Sequence, residues 1–232
     1  MCRHLAHLGA PIGVRELVFD TPHSLADQAR TPRCQPPGRI NADGWGVVWW
    51  PTPTTPARRY RTATTIWDDH DFTEAPTATA VLAAARLASP GATLGVENNA
   101  PFRSGPWAFS LNGWAFVGGR ADGLRARLSP ERRDALAGDS DSEVLFALVL
   151  DQLADGATPG EALGAAVDAV APDEDMEINL LITDGSRLAA SRHRNSLYVR
   201  RDRGITLASE PLDDDPAWYE VPDGSILTEG TS

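Results

Sequence analysis

The second residue of the chain is a cysteine, and its position gives it a chemistry that no internal cysteine has. Once Met1 is removed, Cys2 carries a free α-amine with a pKa of about 7.7 to 8.0, so a useful fraction is unprotonated near neutral pH. That amine can take the thiol proton directly or through a water, and no separate histidine is needed. The commoner use of cysteine is as a small, inert hydrophobe, here at the start of a first strand. Position alone favours the inert use, so residues elsewhere in the chain must decide.

Leu111-Asn112-Gly113 reads as a strand end followed by an amide side chain and a glycine. Together these can aim one side-chain N–H and one backbone N–H at a tetrahedral oxyanion. Asn-Gly is also the commonest two-residue hairpin turn, and both uses can coexist. Arg86 interrupts the apolar run Ala80 to Ala88, where a guanidinium is costly unless it meets a carboxylate. The carboxylate is either an internal partner or that of a ligand, to which Ser89 can also donate. Asp141 follows the helix cap Ser140, where it suits the helix dipole and would equally suit a substrate ammonium.

The elements that must position these residues are legible in outline. Gly44 to Trp50 and Ala57 to Thr62 are strand-length runs around a proline-rich tip at Pro51 to Pro56, and Ala78 to Ala88 and Trp107 to Leu111 are further strands. Helix starts follow at Ser129-Pro130, at the capping box Ser140-x-x-Glu143 and at Thr158-Pro159-Gly160-Glu161. Val144 to Leu153 is apolar nearly all round, which predicts a helix enclosed between two other layers. Short strands return from Ile178 to Thr183, around an Asp184-Gly185 turn, and on to Tyr219 and Ile226. Helices grouped between runs of strands disfavour a parallel βαβ fold. They favour one α+β domain over residues 2–232, with two stacked antiparallel sheets covered by helices in an αββα order.

With 42% hydrophobic and 23% charged residues the chain has a soluble, globular composition, and no apolar run approaches the roughly 18 residues of a membrane span. A net charge of −11 would repel a phosphate backbone or an anionic membrane surface, so neither nucleic acid nor membrane is the expected partner. Two cysteines, Cys2 and Cys34, and the lack of a signal-peptide pattern point to a reducing cytoplasm and leave Cys2 a free thiol. Cys2, His4 and His7 could be taken for metal ligands, but strand alternation separates His7 from the other two, and neither a metal nor a cofactor is expected. His23, His70 and His193 lie beside turn-prone or charged residues and are expected at the surface.

Taken in order, Cys2, Asn41-Ala42-Asp43-Gly44-Trp45-Gly46, Arg86-Leu87-Ala88-Ser89, Ala100-Pro101-Phe102, Asn112-Gly113 and Asp141-Ser142-Glu143 resemble the class II glutamine amidotransferases, which are N-terminal nucleophile hydrolases. The resemblance continues to Ala208-Ser209-Glu210-Pro211 and so covers most of the chain. It implies Cys2 as nucleophile with its amine as base, and Asn112 and Gly113 as the oxyanion hole. It further implies Arg86 with Ser89 on a glutamyl α-carboxylate, and Asp141 on the α-ammonium. Many of these amidotransferases have a histidine before Asn-Gly, and aromatic and histidine residues beside the Ser or Thr of the arginine motif. Here Leu111, Leu87 and Pro90 stand instead, which suits a free-standing amidase acting on a small γ-glutamyl substrate better than an ammonia-delivering glutaminase. Seven tryptophans are many for 232 residues. Were the leaving group a quaternary ammonium, an aromatic wall would be expected. Trp45, Trp67 and Trp114 lie nearest the motifs, with core packing as the alternative for each.

Overall fold

The alternating residues after Cys2 form an 11-residue strand, β1 (Arg3–Gly13). The computed structural model describes residues 2–36, 38–73, 76–89, 91–114, 120–138, 140–170 and 176–230; Met1 and Pro90 lie outside this set. A π-helical turn (Glu16–Asp20) and α1 (Leu25–Arg30) follow β1, then β2 (Trp45–Trp50), β3 (Arg58–Thr62) and β4 (Thr77–Ala85). After β5 (Phe102–Ser104) and β6 (Trp107–Gly113) come α2 (Arg120–Arg125), α3 (Pro130–Asp134), α4 (Asp141–Ala154) and α5 (Pro159–Val170). The chain closes with β7 (Ile178–Thr183), β8 (Arg187–Ser191), β9 (Tyr198–Arg200), β10 (Gly204–Ala208), β11 (Tyr219–Glu220) and β12 (Ile226–Gly230).

Two antiparallel sheets result, ordered β11-β9-β10-β1-β4-β2-β3 and β12-β8-β7-β6-β5. In the larger sheet β1 is central, paired with β10 through Leu5 and Ala208 and with β4 through Leu5 and Ala83. Ala6, Leu8, Val48 and Leu82 pack between the sheets against Leu181 of β7 and Ala108 of β6. On the outer face, Leu5, Val47 and Val81 meet Leu25 and Ala29 of α1. On the far side of the smaller sheet, Phe109 and Leu111 meet Val144, Leu145 and Leu163 of α4 and α5. The layers therefore run αββα, as the grouping of helices predicted.

The differences from expectation are local. Strand β4 stops at Ala85, three residues early, because the Arg86 N–H donates to the Gly44 carbonyl and the Arg86 carbonyl accepts from Asp43. The π-helical turn and α1 carry no long apolar period; α1 starts at Ser24, whose hydroxyl accepts from the Asp27 N–H at 3.3 Å. Helix α4 is not enclosed between two layers. It lies on the smaller sheet beside α5, and Gln152 and Ala154 remain exposed. Its nearly all-round apolarity reflects burial against lateral neighbours as well as against the sheet.

Alternation along β1 sends His4 into the space between the sheets, fully buried, with Nδ1 at 2.9 Å from the Ser110 hydroxyl. Burial, and after it the charge of Arg3, pushes the imidazole down to about 3 from 6.5. Between those values the unfolded chain takes up a proton that the folded chain refuses, so stability falls as pH drops from about 6.5 towards 3. The loss from this site is expected to reach about 1.4 kcal/mol per pH unit. His4→Asn, which keeps a polar group toward Ser110, should flatten the pH dependence of Tm across that window; an unchanged slope would refute this origin.

Candidate active site

Cys2 stands immediately before β1, and continuing the alternation of that strand carries it to the side of His4, facing the smaller sheet. There it borders a cavity of about 230 Å³, whose lining also includes Arg86, Ser89, Gly113 and Asp141. Residues spread over most of the first 141 positions thus meet in one place. Each arrives from the end of an element: β1 for Cys2, β4 for Arg86, β6 for Gly113 and α4 for Asp141.

Arg86 is buried, and its guanidinium donates to the Thr93 carbonyl at 3.1 Å and to Asn99 Oδ1 at 3.4 Å. Both acceptors are neutral, so these bonds orient the group without cancelling its charge; they are not the internal ion pair that the sequence left open. Asn99 is itself held, its Nδ2 donating to the Thr62 carbonyl at 2.8 Å. The loop that brings Ser89 is fixed by Asp43, whose carboxylate accepts from the Ala88 N–H at 2.8 Å. Gly44 precedes β2 at φ +104°, and a Cβ there would fall 2.1 Å from Asn99 Nδ2. The Asp43-Gly44 pair thereby braces both sides of Arg86, a supporting role that no local pattern announced for Asn98 or Asn99. Asn98 also borders the cavity, and its Nδ2 donates to the Thr93 carbonyl at 3.3 Å.

Asp141, also in the lining, occupies the first turn of α4, which Ser140 caps by accepting from the Glu143 N–H at 3.2 Å. Asp141 Oδ1 accepts from the Ser142 N–H at 2.8 Å, which fixes the carboxylate at the cavity edge. Arg86 and Asp141 thus offer a cation and an anion to one cavity, the pattern required by a ligand that carries both a carboxylate and an ammonium.

At the end of β6, Gly113 has φ +139°, and a Cβ would lie 1.7 Å from the Glu177 carbonyl oxygen. Asn112 is fully buried beside it. Its Nδ2 donates to the Ser209 hydroxyl at 3.1 Å, while Oδ1 has no partner among the described residues. Asn112 adjoins the cavity through Gly113 and does not itself line it in this amide orientation.

The tryptophans separate. Trp45 is fully buried in the outer core, edge-on to Phe19 and Phe72, with Nε1 donating to Asp69 at 2.8 Å. It is not a wall of this cavity, and its expected contact with a ligand is corrected: Trp45 is near the motif in sequence, but alternation along β2 turns its ring to the opposite face of the sheet. Trp114, one residue beyond Gly113, is 37% exposed and borders a separate recess of about 310 Å³ with Cys34, Arg39, Glu177 and Glu220. The Arg39 guanidinium lies 5.4 Å from the centre of its ring. His23, expected at the surface, is buried between Asp27 and Glu210, at 2.6 and 2.7 Å. Its second partner is 187 residues away, beyond the reach of any local pattern.

No protein-family model matches the chain. Curated relatives do: the γ-glutamyl-hercynylcysteine sulfoxide hydrolase of Mycolicibacterium smegmatis is 37% identical, covering 98% of this chain and 95% of the relative. The protein of the same name from Mycobacterium tuberculosis is 36% identical, covering 98% and 92%. Among solved structures, a glutamine aminotransferase class-II domain protein from Silicibacter pomeroyi superposes with a TM-score of 0.66 at 25% identity, over 99% of this chain and 95% of that one. The glutamine phosphoribosylpyrophosphate amidotransferase of B. subtilis, at 18% identity and TM-score 0.70, shares the fold over 99% of this chain and 47% of its own.

Because Gly113 combines positive φ with a backbone contact, Gly113→Ala is expected to lower Tm by roughly 4 °C or more. Gly105→Ala, also at positive φ but with nothing within 4 Å of the new methyl, should cost less. Equal losses in thermal melts would show that the contact with Glu177 is unimportant.

Proposed function

We propose, because this chain belongs to the family of the γ-glutamyl-hercynylcysteine sulfoxide hydrolases, that it releases glutamate from γ-glutamyl-hercynylcysteine sulfoxide, as part of ergothioneine biosynthesis. The observation that carries this is the single cavity in which Cys2, Gly113, Arg86, Ser89 and Asp141 converge. The enzyme is a γ-glutamyl amide hydrolase of one domain, acting on a small molecule in the cytoplasm, where its thiol stays reduced.

The glutamyl α-carboxylate pairs with Arg86 and accepts from Ser89, and the α-ammonium pairs with Asp141. These two anchors hold the α-carbon and leave the γ-carbonyl for Cys2. The Cys2 amine takes the thiol proton, and the sulfur attacks the γ-carbon to give a tetrahedral oxyanion. The Gly113 N–H faces that oxygen. Turning the Asn112 amide by half a turn, with the Ser209 hydroxyl rotated from the His4 carbonyl to Oδ1, leaves Nδ2 to donate to the oxyanion, and the His4 carbonyl keeps the Ser209 N–H. The amine then gives its proton to the departing nitrogen, the C–N bond breaks and a glutamyl thioester remains. A water, deprotonated by the same amine, cleaves the thioester to glutamate and the free thiol. The steps balance with water as the only co-reactant.

The departing half carries a trimethylammonium and leaves past Gly113 toward Trp114. That ring already holds one cation, Arg39, on its face.

Incubation of the mature enzyme with γ-glutamyl-hercynylcysteine sulfoxide should release glutamate faster than incubation with L-glutamine, and Cys2→Ala should abolish the release. Turnover retained in that variant would falsify the mechanism. Trp114→Ala is expected to raise KM for the betaine substrate about 2-fold, the low end of a roughly 0.5 to 2 kcal/mol cation–π contact because Arg39 already occupies the ring, while sparing a simple γ-glutamyl anilide. Equal effects on both substrates would remove Trp114 from the departing half.

A further inference from the structure

Directly behind Cys2, on the face of β1 turned away from the cavity, lies a chain of buried charges. The Arg3 guanidinium is fully buried, and its NH1 donates to Glu210 Oε1 at 3.0 Å. Glu210 is equally buried, and its two oxygens also accept from the Cys34 N–H at 3.0 Å, the Arg33 N–H at 2.8 Å and His23 Nε2 at 2.7 Å. His23 is braced in turn by Asp27 at 2.6 Å through Nδ1. Gln28, also fully buried, donates to the backbone carbonyls of both His23 and Glu210 at 3.0 Å.

This assembly meets the proposed nucleophile at one atom. Arg3 Nε donates to the Cys2 carbonyl at 3.0 Å, and this is the hydrogen bond that Cys2 makes among the described residues. Cys2 precedes the first ladder pair of β1, Arg3 with Ala85, so the sheet does not hold it. Arg3 NH2 has no partner among the described residues, so the bonds to Glu210 and to Cys2 set the guanidinium's orientation.

We infer that Arg3, locked by Glu210 and His23, is a positioning residue that fixes the Cys2 main chain so that thiol and amine both face the γ-carbonyl. The need follows from the mechanism. A chain-terminal residue that must present two groups at once has rotational freedom that the reaction cannot tolerate, and a misplacement of about 1 Å can cost on the order of 100-fold in rate. A guanidinium can serve a carboxylate and a carbonyl together because its donors form a planar, rigid fork. A lysine ammonium keeps the charge for Glu210 but has no Nε–H to hold the carbonyl.

The inference rests on Cys2 as nucleophile, and its test is separable from the test of that role. In the full-length mature enzyme, Arg3→Lys is expected to remain folded and to lower kcat by roughly 10- to 100-fold. KM for the γ-glutamyl substrate should stay within about twofold, because Arg86, Ser89 and Asp141 are untouched. A variant that melts earlier but keeps the wild-type kcat well below its Tm would show a purely structural network and overturn the inference. The double variant R3M/E210M removes both charges, so neither is left buried alone, and it should show the same split between kcat and KM. If neither variant folds, the network is a folding determinant and the inference fails. Activity in Cys2→Ala would instead overturn the nucleophile, whatever the Arg3 variants do.

Discussion

Successive residues of a strand must face opposite sides of the sheet, and in β1 that constraint divides the start of the chain between two environments. Arg3 and Leu5 turn to the outer layer, where Glu210 and α1 lie, while His4, Ala6 and Leu8 turn into the space between the sheets. Cys2, next in the alternation, faces the smaller sheet, where β6 ends at Gly113. A one-residue slip of β1 against β4 would move every one of these groups to the wrong side. Register is therefore strongly specified: both faces are buried, and a slip would place Arg3 among the apolar residues between the sheets and leave Glu210 facing Cys2 or His4. The architecture of the site follows from holding one strand in the middle of a sheet.

The two buried arginines show how surroundings assign opposite tasks to one side-chain type. Arg3 meets a carboxylate whose remaining acceptor positions are filled by backbone N–H groups and an imidazole, so its charge is matched within the protein. Arg86 meets a carbonyl and an amide oxygen, which satisfy N–H groups and leave its charge for something else. A buried cation whose acceptors among the described residues are neutral carries a desolvation cost that a ligand carboxylate in the adjoining cavity would offset. Asp141 brings a carboxylate to the same cavity at a helix start. The cavity is then selective for a ligand with both charges at one end, which is the glutamyl half of the substrate.

Residues that declared themselves in the sequence did so through local signals. Cys2 had its position, Asn112-Gly113 a strand end with a turn, Arg86 a charge within an apolar run, and Asp141 a cap. Such signals depend on neighbours within a few positions, and the structure assembles their owners around the cavity, with Asn112 immediately beside it. The Arg3–Glu210 pair spans 207 positions and the His23–Glu210 pair spans 187, so nothing near any of the three residues marked the pairing. The layer order was legible because helices and strands occur in blocks, whereas α4's surroundings were not, since apolarity does not say whether cover comes from above or from the side. Trp45 shows the remaining difficulty. It sits inside a motif that braces the site, yet strand alternation turns its ring to the outer core, where it packs edge-on against Phe72 and tilted against Tyr60.

The two ends of the substrate meet different kinds of surface. The cavity proposed for the glutamyl end lies where β4 and β6 end and α4 begins, and its lining includes both Arg86 and Asp141. The residue proposed to meet the departing half is Trp114, 37% exposed, with the Arg39 guanidinium over its ring. An incoming quaternary ammonium must displace Arg39 from the ring, exchanging one cation–π contact for another, so the net gain there is smaller than the contact itself. Glu177 and Glu220 line the same recess, but Glu220 pairs with Arg192 at 2.6 Å, which reduces its pull on a second cation. Tight recognition therefore belongs to the glutamyl half, and discrimination at the other end comes from a modest difference. That asymmetry suits a hydrolase, because the departing half must leave before water can reach the thioester, while the glutamyl group has to stay until it does.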